Sequence, residues 1–564
     1  MVELKYRVSD LLNLASVDLD CHFDREGIQL ISSRRQLFLT SVCLVLLSAL
    51  CLVRAQDPVP QPSPANPASK VTGTESALNA ANQLYRAGKF AAAVEAFKAL
   101  TNSADPSALA FVGLVHAYLA LKNPEQAAAA ALEASKLAPN LDAVHVALGE
   151  VYFRQGKLAE AENEFTALAN ANSKEARAYL GLSRIYHAAS YYRQAKLAID
   201  RAHDLDPLDP DIQRLWIRTL SAAEQIRALQ AFLETHPDDD PEHRAGLLEN
   251  LKFLQSSAGE DFHPCRLVTK PSQAEIKMDR LLQDANHIRG YGLNVKLNEA
   301  SSRLLLDTGA TGLLINRKLA EKAGIKPIAD VTVRGIGDQV SPGAHRGFAQ
   351  TIKIGNLEFK DCYVNVIDRG AVANEDGLIG ADVFSEFLVE LDYPRERILL
   401  SELPRRPEET GVSSLSQYHN RYVAPEMKNY TRVYRFGHML LVYTRLNDLP
   451  GKLFLLDTGA FNNTISPSAA REATRVSADA NTTVKGLNGA VKNVFRADEL
   501  IFQFGHLRQK NLDVVAFDTT HLSNSIGVEV SGTLGFAMLR LLDIKIDYRD
   551  GLVDFSYDEN RLVR

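Results

Sequence analysis

The sequence predicts a multidomain fold in which an all-α helical repeat precedes two all-β lobes related by an internal duplication. Two observations carry this prediction. Alanine-rich sequence with turn markers about 34 residues apart precedes the middle of the chain, which is typical of stacked helix pairs. The run Leu-Leu-Asp-Thr-Gly-Ala then occurs twice, ending at Ala310 and at Ala460. A motif repeated with its surroundings indicates a repeated domain.

The bulk composition fits a globular protein of several domains. The chain has 564 residues, of which 46% are hydrophobic and 23% are charged. These values allow about three or four domains and argue against wholesale disorder. The net charge is −6 and no basic run exceeds a few residues, so the sequence predicts no nucleic-acid partner.

The N-terminal region carries a targeting pattern. Arg34 and Arg35 precede an apolar run at residues 37–53, and the small residue Ala55 follows it. A basic flank, a short apolar core and a small residue are typical of a secretory signal. Two interpretations of residues 1–55 stay open: cleavage after Ala55, which we favour, or an uncleaved membrane anchor. Either one predicts an extracytoplasmic protein, periplasmic or secreted, with membrane contact only through this segment.

A proline-rich linker, predicted at residues 56–73, leads into the helical repeat. The repeat covers residues 74–256 and resembles a tetratricopeptide (TPR) array, with turn markers at Pro106, Pro139, Ser173 and Pro207. Small residues at its repeat positions predict close packing of antiparallel helices. The resemblance implies a protein partner on the concave face, and the alternative is a spacer or a dimer contact.

The rest of the chain predicts a polar connector at residues 257–285, a β-rich lobe at 286–403, a linker at 404–435 and a second lobe at 436–564. Four landmarks recur in the same order in both lobes, at nearly the same spacing. They are the Asp-Thr-Gly-Ala motif, a glycine-rich segment, an apolar element ending in glycine, and the pairs Asp392-Tyr393 and Asp547-Tyr548.

The two lobes resemble the retropepsin-like aspartic peptidases. The resemblance rests on the duplicated Asp-Thr-Gly-Ala motif, on the glycine-rich segments and on the distal apolar elements. Residues 375–388 are similar to the distal motif of bacterial members of that group, whereas residues 532–542 match less well. A water-activating dyad needs one ionised and one protonated carboxyl, and two close carboxyls share a proton in this way. Asp307 and Asp457 would supply that dyad within one chain.

The resemblance also implies roles for the neighbouring residues. Thr308 and Thr458 would brace the two catalytic loops across a pseudo-twofold axis. The other expected site residues fall into three groups: loop support by Gly309, Ala310, Gly459 and Ala460; a distal motif of Leu378, Ile379, Gly380, Leu534 and Gly535; and hairpin flaps at Gly335, Ile336, Gly337, Gly486, Leu487 and Gly489. The flaps would close over an extended polypeptide substrate and exclude water.

Several alternatives stay open. Thr533 in place of an aliphatic residue, and the polar pair Asn462-Asn463, fit either asymmetric substrate pockets or a second lobe that has drifted from catalysis. The lobes could pair within one chain, which we favour, or between two chains. The leading function is an aspartic endopeptidase whose TPR module recruits a partner or substrate, and the alternative is a non-catalytic TPR scaffold with peptide-binding lobes.

No cofactor or metal is expected. His263, His438 and His521 show no metal-ligand spacing and are interpreted as structural or surface residues. Cys265 and Cys362 remain after signal cleavage, and a disulfide and two free thiols are both compatible with the sequence.

Overall fold

The computed structural model describes residues 73–558 apart from positions 172, 238–240, 258–264, 269, 286, 334, 338–342, 369–373 and 408–417. The expected signal or anchor and nearly all of the proline-rich linker lie outside the described residues. Within the described part, no helix combines the length and apolar character needed to span a bilayer. All of these residues belong to a single unit, Val71–Arg564.

The helical region consists of antiparallel pairs stacked in sequence order. Its helices are α1 Gly73–Arg86, α2 Phe90–Thr101, α3 Ala108–Ala120, α4 Pro124–Leu137, α5 Asp142–Arg154, α6 Leu158–Asn170, α7 Ala176–Ala188, α8 Tyr192–Leu205, α9 Pro210–Ile217, α10 Ala222–Thr235 and α11 Pro241–Ser257. Close packing depends on glycine, as the sequence predicted. A Cβ at Gly113 would lie 2.2 Å from the ring of Phe97, and one at Gly181 would lie 2.2 Å from the ring of Phe165.

A buried charged network joins the first helices of the successive repeats. Arg177 on α7 donates to Glu150 on α5 at 2.7 Å and to Asp211 on α9 at 3.0 Å. The hydroxyl of Tyr85 on α1 donates to the same Asp211 carboxylate at 2.9 Å. The carboxylates of Asp209 and Glu150 raise the pKa of Arg177 well above its ordinary value, although burial opposes this effect. The array is therefore tied from its first helix to its ninth.

Lobe 1 is built around a mixed sheet. Its strands are β1 Arg266–Leu267, β3 Asp279–Asp284, β4 His287–Leu297, β5 Ala300–Asp307, β6 Leu313–Asn316, β7 Pro327–Asp330, β8 Ala344–Ile354, β9 Leu357–Ile367 and β10 Gly377–Gly380, with β2 Gln273–Lys277 in a different sheet. The order is β1-β9-β6-β10-β5-β4-β8-β7, and β3 pairs with β4. Helix α12, Arg317–Lys322, follows β6.

Lobe 2 repeats this plan. Its strands are β14 Tyr434–Phe436, β15 Met439–Leu446, β16 Lys452–Asp457, β17 Thr464–Ile465, β18 Val476–Ala478, β21 Val494–Phe504, β22 Leu507–Phe517 and β23 Gly532–Gly535, with the hairpin β19 Lys485–Gly486 and β20 Gly489–Ala490 apart. The order is β14-β15-β16-β23-β17-β22-β21-β18. Short helices α13 Pro467–Ala473, α14 Thr520–Ile526 and α15 Phe536–Leu539 complete the lobe.

A third sheet joins the two lobes. It contains β2 from the start of lobe 1, β11 Phe387–Asp392, β12 Arg397–Glu402, β13 Thr431–Arg432, β24 Asp543–Asp547 and β25 Leu552–Ser556. Its order is β13-β25-β24-β11-β12-β2, and the antiparallel pair β11–β24 crosses between the lobes. Both lobes also share one hydrophobic core cluster. The predicted fold class, a helical array followed by two β-lobes with pseudo-twofold symmetry, is thereby confirmed.

Two expected boundaries need correction. The expected polar connector at residues 257–285 contains β1, β2 and β3, and the expected linker at 404–435 contains β13 and part of β14. In β2 the buried residues Ala274 and Ile276 alternate with exposed polar ones. The strand is difficult to recognise in the sequence because polar residues occupy every second position. The described strands of both segments therefore belong to the sheets of the lobes.

The helical array packs against both lobes. Phe153, Leu158 and Phe165 of the array share a hydrophobic cluster with Leu441, Leu453 and Leu455 of lobe 2. On the other side, the ring of Phe253 in α11 lies 5.1 Å from that of Tyr363 in lobe 1. The array, lobe 1 and lobe 2 thus form one packed assembly.

A disulfide joins Cys265 to Cys362 across 97 residues of sequence. It ties the segment that follows the helical array to β9 of lobe 1. The structure thereby selects the bonded state from the two alternatives that the sequence left open.

Candidate active site

Each Asp-Thr-Gly-Ala motif begins with the last residue of a strand. Asp307 ends β5 and Asp457 ends β16, and each of these strands has a parallel neighbour from the distal motif. Gly380 of β10 pairs with Asp307, and Gly535 of β23 pairs with Asp457. The apolar run before each aspartate is therefore a buried strand that holds the carboxyl at a fixed point, in the same register in both lobes.

The distal glycines allow the strands to approach the catalytic loops. A Cβ at Gly380 would lie 2.5 Å from the carbonyl oxygen of Ala310. A Cβ at Gly535 would lie 2.3 Å from the carbonyl oxygen of Asn462. Because both obstacles are backbone atoms, glycine is required at each position for steric reasons.

The two motif threonines bond across the lobe interface. The backbone N–H of Thr308 donates to the Thr458 hydroxyl at 3.0 Å, and that of Thr458 donates to the Thr308 hydroxyl at 3.0 Å. The hydroxyls donate in turn to the carbonyls of Leu456 at 2.8 Å and Leu306 at 3.2 Å. Four reciprocal, buried hydrogen bonds thus lock one catalytic loop to the other.

This lock brings the two carboxyls into contact. The side chains of Asp307 and Asp457 approach each other across the interface closely enough for each carboxyl to affect the pKa of the other. A Cβ at Gly459 would lie 2.4 Å from an Asp307 carboxyl oxygen, and a Cβ at Gly309 would lie 2.9 Å from the Asp457 carboxyl. Each motif glycine therefore lies against the aspartate of the opposite lobe, and a side chain there would separate the pair.

The electrostatics of the pair are unequal. Burial, followed by the charge of Asp457, raises the pKa of Asp307 from 3.8 to about 8, although the N–H groups of Gly309 and Gly459 act in the opposite direction. Burial also raises the pKa of Asp457, but N–H groups of Ala460 and Gly459, at 3.0 and 2.9 Å, and a hydrogen bond from Asp307 stabilise its ionised form. The arrangement thus favours a proton on Asp307 and a negative charge on Asp457 near neutral pH.

The expected flap segments meet each other. The backbone N–H of Asn488 donates to the carbonyl of Ile336 at 2.9 Å, and a Cβ at Gly335 would lie 2.6 Å from Leu487. Ile336 of lobe 1 packs against the cluster of Val491, Val494, Val515 and Phe517 in lobe 2. Leu487 of lobe 2 packs against Leu314 and Ile367 of lobe 1.

Only the lobe 2 flap is a strand pair among the described residues. Gly486 pairs with Gly489, which has a φ of 84°. Gly335, Ile336 and Gly337 instead lie in a loop between β7 and β8. The flap glycines permit close approach, because a Cβ at Gly486 would lie 2.3 Å from the Ile336 carbonyl oxygen.

Three residues beside the catalytic loops were not assigned a role in the site from the sequence. Asp382 accepts from the Thr311 hydroxyl at 2.8 Å and from the Gly312 N–H at 2.9 Å, which fixes the loop after the first motif. Phe461, directly after the second motif, is 41% exposed. His438 lies 3.0 Å from the Gly309 carbonyl through Nε2. Phe461 could have been found from the sequence, because an aromatic residue directly follows the second motif. The contact of His438 with Gly309 could not, because it joins distant segments and no local pattern indicates it.

The described residues contain no group of three or more histidine, cysteine, aspartate or glutamate side chains arranged to hold a metal ion.

Comparison with known proteins agrees with this geometry. The family model described as aspartyl protease matches residues 293–383 and 442–537, one segment in each lobe. A curated relative, DNA damage-inducible protein 1 of Eremothecium gossypii, is 25% identical over 230 residues, which are 37% of this chain and 44% of that protein. The chain thus spans less than half the length of this relative.

Two solved structures are each similar to part of the chain. A retropepsin-like aspartic protease from Rickettsia conorii is 18% identical, with 24% of this chain and 96% of that chain covered and a TM-score of 0.18. A thermophilic TPR protein from Thermus thermophilus is 19% identical, with 31% of this chain and 98% of that chain covered and a TM-score of 0.25.

Proposed function

We propose that this chain, whose two lobes each carry the aspartyl protease domain, is an aspartic endopeptidase that hydrolyses extended polypeptides. We further propose that its TPR-like array recruits a protein partner or the substrate. The observation that carries the catalytic part is that the threonine lock holds the carboxyls of Asp307 and Asp457 side by side, with each motif glycine against the aspartate of the opposite lobe. A site that only bound peptides would gain nothing from two acids that compete for one proton.

The unequal pair suggests a division of roles. Ionised Asp457 would accept a proton from the attacking water, and protonated Asp307 would donate a hydrogen bond to the carbonyl oxygen as negative charge develops on it. The active form holds one proton on the pair. We therefore expect activity to rise above the raised pKa of Asp457 and to fall as pH approaches about 8, where Asp307 loses its proton.

The test compares the parent chain with Asp307→Asn and Asp457→Asn on a peptide library, with cleavage followed by mass spectrometry. Each variant should lose about 10³-fold in kcat/KM because each removes one acid–base partner. Asp448→Asn, an exposed position in lobe 2, is the matched control and should cleave like the parent. A pepstatin-like inhibitor should block the parent.

Two results would contradict this function. One is parent-like cleavage by Asp307→Asn or Asp457→Asn protein that circular dichroism shows to be folded. The other is tight peptide binding without turnover from about pH 3 to 8, which would favour a peptide-binding scaffold over a peptidase.

An extracytoplasmic location is part of the proposal. The Cys265–Cys362 disulfide supports it, because such bonds persist mainly in oxidising compartments. Peptide mapping of chain isolated from its source, with free thiols alkylated before reduction, should recover the two cysteines as one bridged peptide. Alkylated thiols at both positions would count against this location.

The TPR-like array suggests a protein interaction. The face on which its first helices meet is occupied by the network around Arg177, whose side chain is 12% exposed. A peptide entering there would have to break the internal bonds between Arg177 and Glu150. We therefore place extended-peptide binding in the cleft between the lobes.

A further inference from the structure

We propose that the TPR-like array positions the catalytic loop of lobe 1 through the β14–β15 hairpin, with His438 at the hairpin tip as the positioning residue. This inference rests on the proposed peptidase function. It assigns the array a part in the active site that is separate from partner recruitment. Three contacts carry it, from the array to the hairpin, along the hairpin, and from its tip to the loop.

The first contact fixes the hairpin on the array. Arg435 in β14 donates to the hydroxyl of Tyr192, the first residue of α8, at 3.0 Å. The ring of Phe436, the next residue, lies 6.5 Å from that of Phe153 in α5. Polar and apolar contacts to two helices thus hold the same short strand.

The second contact connects the hairpin to its own lobe. Arg435 also donates to the carbonyl of Tyr548 and, at 3.3 Å, to that of Gly437 in the hairpin turn. Leu441 in β15 pairs with Leu455 in β16, two residues before Asp457. Both leucines lie in the cluster shared with the array. The hairpin is therefore held by the array on one side and by the strand of Asp457 on the other.

The third contact reaches lobe 1. His438 Nε2 lies 3.0 Å from the carbonyl oxygen of Gly309, whose own N–H donates to Asp307 at 2.8 Å. A carbonyl oxygen only accepts, so Nε2 carries the proton and donates. Burial lowers the pKa of His438, although the charge of Asp382 opposes this, so the neutral donor form is favoured near neutral pH. One side chain from lobe 2 thereby holds the residue that orients Asp307.

These contacts converge on one cavity. Tyr192 of the array, Thr311 of lobe 1 and His438 of lobe 2 line a space of about 580 Å³. The array, the hairpin and the first catalytic loop thus meet at one place. Movement of α8 would reach Gly309 through a single hairpin.

The experiment uses the full chain with His438→Ala, His438→Gln and Tyr192→Phe. His438→Ala should lower kcat about tenfold with little change in KM, since one hydrogen bond to a catalytic loop is lost. His438→Gln keeps an N–H donor and should recover most of kcat. Tyr192→Phe removes the hydroxyl that accepts from Arg435 and donates to Ser190 at 3.4 Å, and it should lower kcat about threefold. His506→Ala, an exposed turn position in lobe 2, is the matched control and should equal the parent.

Hydrogen–deuterium exchange supplies a readout that does not need turnover. His438→Ala and Tyr192→Phe should raise exchange at residues 304–312 and leave residues 454–462, the equivalent loop of lobe 2, unchanged. Unchanged exchange at 304–312, or an equal rise in both loops, overturns the proposal, as does parent-like kcat in His438→Ala. If His438→Ala does not fold, Tyr192→Phe decides by the same criteria. A parent that cleaves no peptide refutes the proposed function but leaves the exchange result readable.

Discussion

Lobe 1 and lobe 2 share a backbone frame but satisfy its polar groups differently. In lobe 1 the N–H of Gly380 donates to the carbonyl of Gly312 at 2.8 Å. In lobe 2 the N–H of Gly535 donates instead to the side chain of Asn463, also at 2.8 Å. Asn463, whose polarity fitted a second lobe that has drifted from catalysis, therefore supplies the hydrogen-bond acceptor. In lobe 1 a backbone carbonyl supplies the equivalent acceptor.

A second difference follows the same rule. Leu314 pairs with Leu378 in lobe 1, and the equivalent pair in lobe 2 is Thr464 with Thr533. The two hydroxyls are 2.8 Å apart and buried, so each satisfies the other. The polar side chain of Thr533 is thus compensated by a hydrogen bond to Thr464. Departures from a motif are informative only together with the residues that they contact.

The largest expected effect tests whether the frame is equally strict in both lobes. Gly380→Ala and Gly535→Ala should each destabilise the protein by about 3 kcal/mol, because the added methyl group meets backbone oxygen in each lobe. Gly246→Ala is the control, since its Cβ would meet nothing within 4 Å. Urea unfolding measures all three. A large loss of unfolding free energy in only one of the two variants would show that the lobes do not share the same steric requirement.

The threonine lock should be equally important from either side. Thr308→Val and Thr458→Val should each cost about 2 kcal/mol in unfolding free energy, because each leaves buried N–H and C=O groups without their hydrogen-bond partner. The serine variants retain the hydroxyl and serve as controls. Chemical denaturation that finds one threonine dispensable would contradict the pseudo-twofold symmetry of the lock.

Protonation should affect the aspartates of the two lobes differently. The native state keeps the Asp307 proton that the unfolded chain loses near 3.8, so this stabilisation is complete at low pH and disappears as pH rises towards about 8. Asp307→Asn should therefore exceed the parent in stability by about 2 kcal/mol at pH 8, with a smaller difference at pH 5. Thermal unfolding at both pH values measures it. Asp457→Asn should gain less, and a larger gain would reverse the assignment of the proton.

The smallest effect concerns the matched hydroxyls. Thr533→Val should cost about 1 kcal/mol because the hydroxyl of Thr464 loses its partner. The double change to valine at 464 and 533 should return close to the parent. A double-mutant cycle by urea unfolding gives the coupling, and additive costs would show that the hydroxyls do not support each other.

The sequence predicted those features that recur along the chain. The 34-residue period predicted the helix pairs, and the duplicated landmarks located the parts of both lobes around Asp307 and Asp457. The catalytic assignment itself stays a prediction. Features that depend on distant contacts were not predicted. Strand β2 has the composition of a polar loop, and His438 was interpreted as a structural or surface residue. Its contact with Gly309 spans 129 residues and leaves no periodic trace.

The sheet between the lobes has a consequence for how the protein is made. Strand β11 ends at Asp392, but its partner β24 begins only at Asp543. At translation rates of about 5 to 20 residues per second, the edge of β11 waits on the order of ten to thirty seconds for its neighbour. The nascent chain therefore exposes an unpaired strand edge, which favours aggregation or chaperone binding. A ribosome-bound fragment that ends before Asp457 holds only one of the two acids.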